Sequence, residues 1–270
     1  MKTSIFLFTA MITFSASLNA QDNNLVMNGS FENVSGMAHN TGIDCLTDSV
    51  TSANNTTVDF FTKKARYTEY AVPKNYMGTQ DPKTGDNYAG IIAYYADEAG
   101  VFNTRPGYQK YSEYIQLKLR EPLTAGAVYM VSFNASLAEG SAYATSGLGV
   151  YFTTTKTDVK NNAFLNVIPN IVSTDIIKSN DWVTFTGAYV ATGGERYITI
   201  GGFLDYMDTI KVIAPNTNNS RKAYYYIDDV AMAPSVKTND VQDVSMILYG
   251  NCYQLKNLNF ETDKATIMAT

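Results

Sequence analysis

The 270-residue sequence has one histidine, one tryptophan and two cysteines, and each shortage closes off a class of chemistry. A Ser-His-Asp triad uses histidine as its general base. His39 stands alone in a polar early stretch and reads as a surface residue. Zinc needs several His and Cys ligands at close spacing, which His39, Cys45 and Cys252 do not provide. The two cysteines could pair in an oxidising compartment; free thiols are the other reading. Long apolar runs are missing too: Ile5 to Phe14 gives only ~10 residues against the ~20 that span a bilayer, so no transmembrane segment is expected. Positive charge is in deficit, with 20 Lys and Arg against 25 Asp and Glu and a net charge of −5. That balance disfavours nonspecific binding to nucleic acid or anionic membranes. Only Lys63-Lys64 and Arg221-Lys222 break the pattern, and both read as solvated loops. Glycine-rich phosphate loops and internal repeats are absent, and helical periodicity almost so.

What is present begins with a secretory pattern. Lys2, the short apolar run and Ser15-Ala16-Ser17-Leu18-Asn19-Ala20 form a leader with a small residue at the expected cleavage point. Residues 1–20 are therefore expected to be a signal peptide and the mature chain to start near Gln21. From Leu25 onward the hydrophobic period is close to two, the mark of half-buried strands. Tyr129, Val131, Phe133 and Ala135 share one face after the turn Ala125-Gly126. Val183, Phe185, Gly187 and Tyr189 share another, before a Gly193-Gly194 hairpin into Tyr197-Ile198-Thr199-Ile200. Further strands are predicted at Tyr88 to Tyr95, Tyr111 to Leu119, Gly147 to Thr154 and Ala223 to Met232. Short strands between Gly, Asn, Asp and Pro clusters predict an all-β sandwich or barrel. Asn33 to Val58 and Pro73 to Asn87 read as long polar loops. A linker is expected at 234–245. Residues 246–270 then carry a new apolar pattern, either an appendage of the sandwich or the start of another domain.

Three segments carry a resemblance. Asn28-Gly29-Ser30-Phe31-Glu32 is similar to the opening of galactose-binding-like and carbohydrate-binding-module domains. Asp181-Trp182-Val183-Thr184-Phe185-Thr186-Gly187 resembles their Trp-x-x-Phe-x-Gly strand, and Tyr225-Tyr226-Ile227-Asp228-Asp229-Val230 their closing strand. The resemblance implies a two-sheet jelly-roll β-sandwich over 21–233. In these modules a structural Ca²⁺ ties the first segment to the last strand. It implicates Glu32 and Asp229, with Asp228 as alternate and backbone oxygen near Asn28 or Gly29, all hard oxygen donors of the type calcium takes. Backbone hydrogen bonds, or pairing with Arg or Lys, are the alternative partners for these acids. The tail from Leu255 to Ile267 resembles the first strand of the OmpA-like domain, without that family's peptidoglycan-gripping Asp and Arg. The resemblance implies a periplasmic, outer-membrane or cell-surface protein that would reach peptidoglycan only through a further C-terminal domain.

Sugars stack on exposed aromatic rings, and the chain has 20 Tyr. Tyr94, Tyr95, Tyr108, Tyr111, Tyr114 and Tyr143 border a possible binding face, though burial between sheets accounts for many such rings. Tyr95, Tyr108 and Tyr143 are taken as candidate ligand contacts, and Trp182 as structural. Asp48-Ser49-Val50 and Asp208-Thr209-Ile210 resemble acceptors for O-glycosylation at Ser49 and Thr209. The function expected is a non-catalytic binding or tethering module that recognises a glycan or envelope component. A glycan-processing enzyme with two carboxylates and a structural spacer for protein partners are the alternatives.

Overall fold

The computed structural model of the protein describes residues 23–34, 49–95, 111–160, 164–203, 211–213 and 221–235. The leader, His39, Cys45, Cys252, Tyr108, Thr209 and the tail beyond residue 235 lie outside the described residues.

Among the described residues fourteen strands follow in chain order: β1 Val50–Ser52, β2 Asp59–Thr62, β3 Lys74–Asn75, β4 Gly78–Thr79, β5 Asn87–Tyr95, β6 Tyr114–Lys118 and β7 Val128–Leu137. Then come β8 Tyr143–Thr145, β9 Leu148–Thr153, β10 Ile171–Val172, β11 Val183–Val190, β12 Tyr197–Gly202, β13 Lys211–Ile213 and β14 Lys222–Pro234. Two antiparallel five-stranded sheets, ordered β1-β6-β12-β9-β10 and β11-β7-β14-β5-β2, make the two layers. Short pairs β13-β8 and β3-β4 are added at the margins. Helix is confined, among the described residues, to one 3-10 turn at Thr68–Tyr70. The fold is thus an all-β sandwich, as the period-two pattern predicts, in the two-sheet jelly-roll form that the resemblance implies.

Alternation builds the core. Val131, Phe133 and Ala135 of β7 face inward against Ile115 and Leu117 of β6, with Ile198 and Ile200 of β12 and Tyr225 and Ile227 of β14. Phe133 stacks on Phe185 at 4.5 Å and Phe152 on Tyr189 at 4.3 Å, so the aromatic residues of β11 seal one side of the sandwich. Between them Gly187 is required, since a Cβ there would sit 2.6 Å from the Ile171 side chain. The predicted β14 continues to Pro234, and Ser235 N–H closes the ladder on the Val128 carbonyl at 2.8 Å.

Both expected long loops contain structure. The described part of the first includes β1, paired with β6 from Val50 to Ser52. The second folds back over the outer face of the second sheet and buries Phe61, Met77, Tyr88, Tyr224 and Tyr226 beneath it. Asn75 is its fastener: the amide donates to Tyr88 Oη at 2.9 Å, and its oxygen accepts from Tyr226 Oη at 2.8 Å and Met77 N–H at 2.8 Å. Burying this aromatic layer stabilises the loop by roughly 25 cal/mol per Å² of apolar surface removed from water. Two polar residue types, Asn and Tyr, hold what composition alone reads as a loose polar stretch.

Candidate functional site

The first region to weigh is the junction of the chain ends. Asn24 Oδ1 accepts from Val26 and Met232 N–H, both at 2.9 Å, and Leu25 N–H donates to the Met232 carbonyl at 2.8 Å. Asn28 has φ 55° and Phe31 φ 58°; Asn28 closes the turn by pairing its amide with the backbone of Asn33. Phe31 then enters the core and Glu32 leaves it. Gly29 approaches Val230 so closely that a Cβ would lie 1.9 Å from the Val230 carbonyl oxygen.

On β14 the pairing register with β7 shifts between Asp228 and Ala231. Asp229 takes φ 50° there, and Val230 N–H turns to the Gly29 carbonyl at 2.9 Å. The bulge breaks the alternation from which Asp229 was expected to point inward, so Asp228 is the buried acid and Asp229 is half-buried. All these acids meet the turn before β5. Glu32 Oε1 accepts from Asp86 and Asn87 N–H at 2.9 Å, and Oε2 from the Asn87 amide at 3.0 Å. Asp228 Oδ2 accepts from Lys83 N–H at 2.9 Å and Thr84 N–H at 3.3 Å, and Thr84 Oγ1 donates to Asp229 Oδ1 at 2.6 Å. Burial first, and the neighbouring Asp229 charge second, push Asp228 up to about 8.

Glu32, Asp228, Asp229, Asn28 and Gly29 are therefore brought to one junction at the turn before β5. As placed, the carboxylates are organised around N–H and O–H donors. Among the described residues no three His, Cys, Asp or Glu side chains group as a metal set.

The second region lies at the far end of the same sheet's outer face, and most of its members escape sequence reading. Asn75 and Met77 are both buried, so Tyr76 between them projects from the covering loop with 44% of its surface exposed. Its hydroxyl donates to Asp59 Oδ2 at 2.5 Å, and so does Tyr224 from below at 2.5 Å. Burial raises the Asp59 carboxyl above its usual range, and the two tyrosine hydroxyls oppose that rise. Next to it Glu113 is buried, accepting from Tyr111 Oη on one oxygen and Ile92 N–H on the other, each at 2.7 Å. Burial, then the charge of Asp59, push Glu113 up to about 8.

Cations flank these rings. Lys222 Nζ stands 5.3 Å from the Tyr76 ring centre and 5.2 Å from that of Tyr224, and Arg221 Cζ 5.8 Å from that of Tyr95. Tyr95 meets Tyr111 edge-on at 6.3 Å. The basic pair expected in a solvated loop instead opens β14, half-buried, because aromatic faces attract the cationic heads. Lys63 and Lys64 are exposed as expected, with Lys63 paired to Asp86 at 2.8 Å.

Of the predicted ligand contacts, the structure brings Tyr95 into this cluster. Tyr143 sits half-buried, edge-on to the core residue Tyr94 at 5.8 Å. Trp182 precedes β11, and its indole N–H donates to the Asp81 carbonyl at 2.9 Å, holding the covering loop. Tyr76 sits at a loop position with no periodic signal, and Asp59 and Glu113 look like any other acids until both meet β5, Asp59 by pairing with Gly90 and Glu113 by bonding to Ile92. A separate open pocket of about 150 Å³ lies between segment 172–177 and the edge of β11, lined by Val172, Ser173, Asp175, Ile177, Val183 and Phe185 among others.

Among solved structures the chain is similar to the CBM22-1 xylan-binding domain of Paenibacillus barcinonensis, at 14% identity and TM-score 0.35 over 70% of this chain and 86% of that one. It is similar also to a family 16 carbohydrate-binding module, at 12% identity and TM-score 0.34 over 78% and 99%. A third is the N-terminal cellulose-binding domain of a Cellulomonas fimi glucanase, at 14% identity and TM-score 0.31 over 58% and 83%. No family model matches the chain, and no curated protein matches it. At these identities and TM-scores no residue role is carried across.

Proposed function

We propose that the protein is a non-catalytic glycan-binding module of the cell envelope, and that Tyr76 with its neighbours is the binding surface. One observation carries this reading: a tyrosine ring 44% exposed is held rigidly by a buried carboxylate, with a second ring and two cations beside it. Pre-ordered aromatic surface with a few polar groups is what small polar ligands use for orientation. Rigid rings also lose little conformational entropy on binding. Tyr95 belongs to this surface, and Tyr108 and Tyr143 stay candidate contacts of the same ligand. The test is a glycan array probed with the wild-type chain and with Tyr76→Ala. Sugar-competed signals that disappear in the variant support the proposal. An empty array with a co-purifying envelope protein supports a structural spacer instead.

A glycan-processing enzyme is the second reading, favoured by the two buried carboxylates Asp59 and Glu113, each bonded to a tyrosine hydroxyl. Their observed contacts weigh against it, because both Glu113 oxygens and Asp59 Oδ2 face tyrosine or backbone donors. Release of reducing ends or unsaturated products from polysaccharide pools would restore it.

Two finer points belong to the same proposal. Export rests on the leader-like start of the sequence, and fractionation of cells expressing the full chain would locate it. A structural Ca²⁺ at the junction is proposed on Asp228 alone, buried beside Asp229 with no salt bridge to either among the described residues. A cation would offset that repulsion. Chelation is then expected to lower the melting temperature, with the response lost in Asp229→Ala; a transition indifferent to chelator removes the ion.

A further inference from the structure

Lys222 is the feature that the proposed surface leaves unexplained. A half-buried ammonium ordinarily finds a carboxylate or carbonyl, because partial desolvation costs free energy that a partner offsets. Among the described residues Lys222 makes no salt bridge: it rests on the faces of Tyr76 and Tyr224, with Asp59 and Glu113 acting on it only from longer range. Arg221, one residue earlier, has φ 54° and likewise rests on a ring, with one long contact of 3.5 Å to Tyr95 Oη. Two adjacent cations are thus held at an aromatic surface in a chain whose net charge is −5. The acids beneath attract Lys222 without closing an ion pair on it. Burial shifts both Asp59 and Glu113 toward their neutral forms, and the hydroxyls of Tyr76, Tyr224 and Tyr111 already occupy them.

The geometry points to an anionic sugar as the ligand class: a glycan whose ring lies on Tyr76 and whose carboxylate is met by Lys222, with Arg221 at the flank. This rests on the glycan-binding reading and names its substrate class. A uronic acid fits because its carboxylate is attached directly to the stacked ring, so stacking and ion pairing are satisfied by one residue of the polymer. Sulfate esters offer the same charge from a different source, and the experiment separates the two.

Binding of the full chain would be measured by calorimetry to three oligosaccharides of equal length: an oligogalacturonate, its fully methyl-esterified form, and a sulfated neutral oligosaccharide. The oligogalacturonate is expected to bind about tenfold or more tighter than its ester, the scale of one charge-assisted hydrogen bond. Lys222→Gln should abolish that preference, and Lys222→Arg should restore most of it. Arg221→Gln, which lies outside the core, gives a second reading of the same preference if Lys222→Gln does not fold. Equal affinity for acid and ester, or a preference that survives in Lys222→Gln, overturns the anionic assignment. Preference for the sulfated probe over the uronate overturns the carboxylate assignment. Tyr76→Ala keeps the two proposals apart: loss of both acid and ester binding upholds the platform whatever the charge preference. Unchanged binding of both moves the site elsewhere and takes this inference with it.

Discussion

At the scale of single residues, two kinds of necessity can be told apart. Gly29 is needed for space, since its absent side chain leaves room for the Val230 carbonyl. Gly29→Ala is expected to cost about 3 kcal/mol, the upper range for overpacking against a structure that cannot yield, read as a lowered urea midpoint. A variant as stable as wild type would mean the chain ends do not meet as described. Tyr76 has two roles that different substitutions separate. Tyr76→Phe removes the hydrogen bond to Asp59 and keeps the ring, so stability should fall by about 1 kcal/mol, as for an ordinary intramolecular hydrogen bond, while glycan affinity stays near wild type. Tyr76→Ala removes the ring, and affinity should be lost. If Phe abolishes binding as thoroughly as Ala, the hydroxyl rather than the ring face is the contact.

At the scale of elements, the turn before β5 is clamped from both chain ends. Glu32 holds Asp86 and Asn87, and Asp228 holds Lys83 and Thr84. Glu32→Ala should therefore raise amide exchange at Asp86 and Asn87 by about tenfold or more, given the strength of hydrogen bonds to a charged acceptor, and leave the central amides of β7 unchanged. Uniform acceleration across the sheet would show global destabilisation instead. This clamp was partly legible in sequence: the Asn-Gly-x-Phe-Glu opening and the Asp-Asp closing pair pointed to acids from both ends meeting. What pattern did not give was the bulge that turns Asp229 outward, because strict alternation assumes an unbroken ladder. The strands of the two sheets were readable for the same reason, their inward faces being continuous runs at period two. How the loop Pro73 to Asn87 packs was not readable, since its hold on the sheet comes from Asn75 and tyrosine hydroxyls that are distant in sequence. Tyr76 was missed with it. Arg221-Lys222 was misread because the rings that draw it in belong to three separate stretches of chain.

At the scale of the whole molecule, the buried carboxyl of Glu113 is pushed up to about 8. It is protonated in the folded state at pH values where it ionises on unfolding. Its contribution to stability is full below the ordinary carboxylate range, near 4, and is lost as pH rises through about 8. The melting temperature should accordingly decline between pH 5 and 9. Glu113→Gln should flatten part of that decline, because a neutral amide can accept from Ile92 N–H and donate to Tyr111 Oη. A variant with the wild-type pH profile would remove Glu113 from the account.

The whole account turns on where a glycan sits. The most direct measurement is an NMR titration of the isotopically labelled chain with a binding oligosaccharide, followed residue by residue. The account predicts that the largest shifts fall on Tyr76, Lys222, Tyr95 and Tyr111, with saturation at one common affinity. Shifts centred on the β11 pocket or on the outer face of β6, β12 and β9, with Tyr76 unmoved, would contradict it.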